Sequence, residues 1–327
     1  MKRQVACSHR ARLRHLQIHE LDISDRIGKS VETPAYITLK DHKDDFTSRP
    51  TCRLINPSKS EMGRVSKHML DRINTSLRKR LQVNQWRSTP AVLEWFSALK
   101  DKAHLTFMIF DIVDFYPSIT KELLSKSLTW ARQYTPIQDT VYATIMHARK
   151  SLLYDLEGRP WVKKATTDAF DVTMGGFDGA EVCELVGYYI LHKLGDLIDS
   201  HDIGLYRDDG LAVLRDHSGS QADRMRKRIV AAFHTFGLKI TTQANIKTVN
   251  YLDATLDLRT GTHRPFRKPN DQPTYVHCLS NHPRKSPSVF QRASATGSPL
   301  FHLTKRSLTT LPPYTTMRSE IAATPTT

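Results

Sequence analysis

Two acidic runs, FDIVDFYPSI at Phe110–Ile119 and YRDDG at Tyr206–Gly210, set carboxylates at the ends of apolar, strand-like stretches far apart in the chain. Fixed carboxylates in such places can hold a pair of Mg²⁺ ions for phosphoryl transfer, with Mn²⁺ as a possible substitute. Asp111, Asp208 and Asp209 are the candidate ligands and catalytic acids. A plainer reading makes Asp209-Gly210 a hairpin turn and Asp111 the end of a strand; it must be applied twice and still leaves Asp208 unexplained. Tyr116 follows Asp111 where the chain turns from strand to helix, so its ring can lie beneath a nucleotide sugar and exclude a 2′-hydroxyl. Gly175 and Gly176 would let the backbone approach a nucleotide and template base closely, or simply form a loop before a helix.

The elements that must position these residues are legible in the periodicity. PAYITLKD and CRLINPS read as a basic β-hairpin around the connector HKDDFTSRPT. Leu70, Ile73, Leu77 and Leu81 recur at helical spacing, and Thr89-Pro90 reads as an N-cap before a helix with Val92, Leu93, Trp95, Phe96 and Leu99 inward. LTFMIFDI is a buried strand carrying Asp111 near its end, followed by a helix over 120–132. After the glycine pair a long amphipathic helix carries Val182, Leu185, Val186, Tyr189, Leu194, Leu197 and Ile198, with Asp178 as its cap. DIGLYRDDGLAVLRD predicts two strands turning at Asp-Asp-Gly, then a helix over Met225, Ile229, Phe233 and Phe236 stopped by Gly237. LKITT and VNYLDATLDL complete an α+β order, antiparallel strands on one side and helices on the other.

Composition narrows the partners. The 327 residues carry 48 Lys+Arg against 33 Asp+Glu, a formal charge of +15 with pI near 9.7, which favours a polyanion such as nucleic acid. No stretch approaches the roughly 18 apolar residues of a membrane span, so no membrane partner and an intracellular address, cytoplasm or nucleus, are expected. Cys7, Cys52, Cys183 and Cys278 stand singly, without a disulfide framework or a standard zinc spacing. Arg78–Arg80 could track a nucleic-acid backbone or be a solvated helix face. Nearly half of residues 284–327 are Ser, Thr or Pro, an expected disordered tail.

Phe110–Tyr116 resembles motif A of reverse transcriptases, Tyr206–Asp209 their Y-x-D-D motif C, and Met174–Glu181 sits in the place of motif B. GLKITTQANIKTVNYLD is similar to motifs D and E. The set resembles reverse transcriptases of eukaryotic retroelements without long terminal repeats, including Penelope-like ones, over about Tyr36 to His282. The resemblance implies a right-hand polymerase with fingers and palm, an antiparallel sheet with packed helices, and two Mg²⁺. RNA template, DNA primer and deoxynucleoside triphosphates would be the partners.

It also implies roles: Lys40 or Lys43 and Arg53 binding triphosphate, the backbone carbonyl of Ile112 as a further metal ligand, Lys247 protonating pyrophosphate, and Tyr251 and Leu252 in a primer grip. Expected domains are a basic lead-in (1–30), fingers-like region (31–104), palm (105–260), start of a thumb connection (261–283) and the tail (284–327). The thumb is expected to be truncated or replaced, through a shifted reading frame in a decayed element copy. Arg207 departs from the small or apolar residue usual in Y-x-D-D; strand alternation would point it away from Asp208. Two other readings stay open: an inactive relic that binds nucleic acid, and an RNA-templated RNA polymerase.

Overall fold

A computed structural model describes residues 33–40, 46–57, 61–150, 153–161, 170–215 and 219–267. The expected lead-in and tail, Lys43 and the region around His277–His282 lie outside the described residues. In chain order, β1 (Tyr36–Leu39) and β2 (Cys52–Ile55) form the expected hairpin, followed by α1 (Glu61–Arg80), β3 (Asn84–Gln85) and α2 (Thr89–Ala98). Then come β4 (Leu105–Ile112), α3 (Phe115–Ser118), α4 (Lys121–Ala131), α5 (Asp139–Ala148), and the short strands β5 (Leu153–Tyr154) and β6 (Pro160–Trp161). The rest is α6 (Gly179–Leu194), β7 (Ile203–Tyr206), β8 (Asp209–Arg215), α7 (Gly219–Thr235), β9 (Ile240–Ile246), β10 (Thr248–Tyr251), β11 (Ala254–Asp257) and β12 (Thr262–Pro265).

The central sheet has the order β3-β7-β8-β4-β9, antiparallel except where β3 runs parallel to β7. Strand alternation divides β4 between two cores. Met108, Phe110 and Ile112 join Ala212 and Leu214 under α1, α4, α5, α6 and α7, whose Leu70, Leu124, Ile145, Val186 and Phe233 pack against them. Leu105 and Phe107 face the other way with Leu211 and Val213, covered by Val92 and Phe96 of α2 and by Val249, Tyr251 and Leu256 of the small sheet β10-β11-β12. Helices therefore do not occupy one side alone: the second face is closed by a helix and a meander. In β9 the register slips at Asn245, whose φ of 59° marks a bulge.

Several boundaries differ from the sequence expectation. The N-cap of α2 is Ser88, without a side-chain cap bond; Thr89 is already helical, and its hydroxyl donates to Asp253 instead (3.0 Å). Asp178 holds the N-cap position of α6 but makes no capping bond. Its carboxylate pairs with Arg149, both side chains being at least 95% buried. Gly237 ends α7 as expected, at φ 74°, with Leu238 N–H returning to the Phe233 carbonyl. Among the described residues no helix is long and apolar enough to cross a membrane.

Arg149 Nε and Asp178 Oδ2 have no hydrogen-bond partner, so the buried pair is imperfectly satisfied. Arg149→Met or Asp178→Leu alone should destabilise by about 3–5 kcal/mol, because each strands a buried charge, whereas the double substitution should recover most of the loss. Urea unfolding of the three variants checks this; equal losses in single and double variants would refute it.

Candidate active site

Antiparallel register brings Asp111 directly opposite Asp209. The Ile112 N–H donates to the Asp208 carbonyl (2.9 Å), which makes Asp111–Asp209 a narrow, non-hydrogen-bonded pair whose side chains leave the same face. Asp208 lies in the two-residue loop between Tyr206 and Asp209, which are themselves partners across the hairpin. The turn thus comes one residue earlier than Asp-Asp-Gly suggested. Gly210 serves packing instead: a Cβ there would lie 2.1 Å from the Phe110 ring, which crosses it to meet Phe233 at 5.4 Å. Arg207 occupies the first loop position at φ 56°, so it is not governed by strand alternation. Its guanidinium lies 5.7 Å from the Tyr206 ring centroid, a cation–π contact.

Asp111 and Asp209 line a cleft of about 600 Å³ with Thr89, Thr241, Gln243, Asn250, Tyr251, Leu252, Asp253 and Phe266. Asp208, in the loop between β7 and β8, acts by its charge on Tyr116 and Cys183 and also on Tyr251 of the cleft. Among the described residues no group of three His, Cys, Asp or Glu is close enough to hold a metal ion by itself. The donor set nonetheless suits Mg²⁺, which takes one or two carboxylates and lets phosphates and water complete its shell. Ile112, the expected carbonyl ligand, is buried beside them.

Tyr116 stands over the start of α6, its ring 3.3 Å from where a Cβ on Gly179 would be. Burial is the main reason its phenol is pushed up to about 12, so it remains a donor at neutral pH. Gly175 adopts φ 91°, and a Cβ would lie 2.8 Å from the Asn56 carbonyl, whose own N–H donates to Met174 (2.7 Å). The glycine therefore seats the β1–β2 hairpin on the loop before α6. Gly176 is less constrained, 3.2 Å from Thr173 Oγ1 at the corresponding point. Arg53 pairs with Thr38, and Lys40 N–H continues the ladder to Thr51, so Lys40 and Arg53 share the hairpin face that carries Ile55.

Two expected roles do not fit the geometry. Lys247 Nζ donates to the carbonyls of Ala103 (2.7 Å) and Leu105 (2.6 Å), at the end of β4 remote from Asp111. Six strand residues separate those ends, about 20 Å, so Lys247 cannot be the proton donor; Lys239, whose carbonyl accepts from Val113, is the lysine at the acidic end. Arg78 is taken up by Glu184 (2.5 Å) and Tyr188, and Arg80 by the Tyr134 carbonyl. Tyr251 is 5% exposed, and its hydroxyl donates to the Asp209 carbonyl (2.8 Å). Burial, with the Asp209 charge next, pushes that phenol well up. Leu252, at φ 52° in the β10–β11 turn, presents the hairpin tip to the cleft. The polar lining residues Thr241, Gln243 and Asn250 carried no sequence signal, because only the register decides which way they face.

No protein-family model and no curated protein matches the sequence. Solved structures do. An apo telomerase from Candida tropicalis truncated from its C-terminal domain aligns over 77% of this chain and 60% of its own, at 14% identity and TM-score 0.52. The C. tropicalis telomerase in complex with a telomeric RNA fragment aligns over 82% and 49%, at 13% identity and TM-score 0.51. The RNA-dependent RNA polymerase of a human picorbirnavirus aligns over 64% and 40%, at 13% and 0.48. The telomerase likeness shows a mixed α/β, polymerase-like fold, of which this chain spans less than two thirds.

Lys247→Met should lower thermal stability by about 1–3 kcal/mol through two stranded carbonyls and leave any metal-dependent activity within about twofold once folded. Tyr251→Phe should lower activity more than stability, since it releases the Asp209 main chain. Melting curves read beside activity check both; inactivation by Lys247→Met at full stability would restore its catalytic reading.

Proposed function

We propose that the chain is a template-directed nucleic-acid polymerase of the reverse transcriptase type, extending a primer on an RNA template with deoxynucleotides. The observation that carries this reading is the opposed pair Asp111–Asp209 with Asp208 in the adjoining loop, at a cleft walled by a second hairpin, in a chain of charge +15. The five-stranded sheet and its helices would be the palm, and β1–β2 the tip of the fingers.

Asp111, Asp208 and Asp209, with the Ile112 carbonyl, would hold two Mg²⁺, which supply charge neutralisation at the triphosphate and lower the pKa of the attacking hydroxyl. Lys40 and Arg53, on the hairpin face turned toward the Gly175 loop, would draw the triphosphate in. The Tyr116 ring would occupy the space a 2′-hydroxyl needs, which supports deoxynucleotides over ribonucleotides. Leu252 at the hairpin tip would meet the primer terminus, while Tyr251 holds Asp209 from behind. Lys239 replaces Lys247 as the candidate proton donor to pyrophosphate.

The competing reading is a nucleic-acid-binding relic, favoured by the cationic Arg207 next to Asp208 in sequence and by the lack, among the described residues, of a three-acid group. Primer extension with Mg²⁺ on an RNA template separates the two. Extension by the full chain, reduced at least about a thousandfold by Asp111→Asn or Asp208→Asn, is the expected outcome. Tight binding without extension would establish the relic. In either case binding should fall steeply with salt, since phosphate contacts release counterions.

A further inference from the structure

The β1–β2 hairpin has little core of its own: Ile37, Leu39 and Leu54 are each at least half exposed. Main-chain bonds at its two ends set its place instead. Before β1, the Ala35 N–H donates to the Tyr154 carbonyl of β5 (2.8 Å); after β2, the buried Asn56 donates to the Met174 carbonyl (2.7 Å). The second seat is also steric, since Gly175 passes beneath the Asn56 carbonyl with no room for a Cβ. Wherever the loop before α6 moves, the end of β2 must follow.

That loop is closed at both ends by one residue. Arg149, at the C-terminus of α5, accepts the Asp171 N–H on its carbonyl (2.9 Å), beside a bridge between Lys150 and Phe170. Its side chain pairs with Asp178 at the loop's other end. The carbonyl contact is open to any residue at position 149, but the side-chain contact requires a cation. Stability does not account for it: with Arg149 Nε and Asp178 Oδ2 both unpartnered, apolar residues of similar volume would hold the fold as well or better. What apolar residues lack is a single preferred geometry. A buried ion pair has one, and here it fixes the span 171–178 that carries Met174 and Gly175.

We infer that Arg149 is a positioning residue for the incoming triphosphate, holding the glycine loop so that the hairpin seated on it presents Lys40 and Arg53 at one distance from the acids. This rests on the polymerase reading and on Lys40 and Arg53 as the triphosphate ligands. Arg149 is 4% exposed and touches neither nucleotide nor metal; it acts through the loop and Asn56. Asp111 and Asp209 are registered by the pairing of β4 with β8, in which the loop takes no part. The chemical step therefore keeps its geometry when the loop loosens, and the loss falls on nucleotide KM rather than on kcat.

The test is steady-state primer extension by the unaltered chain, Arg149→Met/Asp178→Leu, Arg149→Lys and Arg215→Met, read beside amide hydrogen exchange. The double variant, which keeps most of the stability, should raise nucleotide KM about tenfold with kcat within about threefold. Its Asn56 amide should exchange about tenfold faster while the amides of β4 keep their rates. Arg149→Lys loosens the pair without stranding a charge; it should raise KM about threefold, and it serves as the test if the double variant fails to fold. Arg215→Met strands Asp202 at the end of β8 remote from the acids, and should cost stability with KM within about twofold. Unchanged KM in both Arg149 variants, or an unchanged Asn56 exchange rate, overturns the inference and leaves the polymerase reading standing if the unaltered chain extends the primer. A KM rise in Arg215→Met equal to that in the double variant would mark general destabilisation and likewise overturn the inference alone. No extension by the unaltered chain overturns both.

Discussion

Two carboxylates set directly across a narrow antiparallel pair are an unfavourable arrangement that must be enforced. At about 5 Å and an effective dielectric near 20, two ionised acids repel by about 3 kcal/mol, and like charges opposite one another weaken a sheet. Much of the surrounding construction resists that repulsion. The Phe110 ring lies across Gly210 and locks into Phe233. The Ile112 amide holds the Asp208 carbonyl, and the Tyr251 hydroxyl holds that of Asp209. A divalent cation held between the acids, as proposed above, would turn the penalty into an attraction.

The strands and helices were readable because their burial is periodic: Leu105–Ile112 appears as the apolar run marks it, and Leu70, Ile73 and Leu77 face the core as spaced. Errors fell where one residue type has two uses. Asp-Gly is a strong turn signal, yet Gly210 is there because Phe110 leaves no room for a Cβ, and the turn falls on Arg207-Asp208 with no glycine. Leu252-Asp253 likewise turns a hairpin without a glycine, with Leu252 at a φ that a bulky side chain rarely adopts. Lys247 matched a motif in sequence order, but order along the chain does not specify which end of a strand a long side chain reaches. β3 and the short pair β5–β6 were missed because too few residues carry a period, and α5 because only Thr144 and Ile145 of its residues are buried.

Asp111 and Asp209 open toward the cleft under the small sheet, with Asp208 in the adjoining loop, while Tyr116 lies against the start of α6. In the proposed function, chemistry and selectivity would rest on different supports: the β10–β11 hairpin through Tyr251 for the first, and α6, clamped by α1, for the second. The telomerase-like architecture accommodates this division without dictating the residues that execute it, as the low identity shows.

The central strand has a consequence for how the molecule is made. Leu105–Ile112 pairs on one edge with Asp209–Arg215 and on the other with Ile240–Ile246, both synthesised long after it. During translation this apolar strand has both ladders unsatisfied until β8 and then β9 emerge, a high-contact-order arrangement that folds slowly and exposes sticky edges meanwhile. A nascent chain released before Ile246 would carry every residue of the acidic trio and yet lack the edge strand that completes their platform. Its expected fate is self-association through the open side of β4.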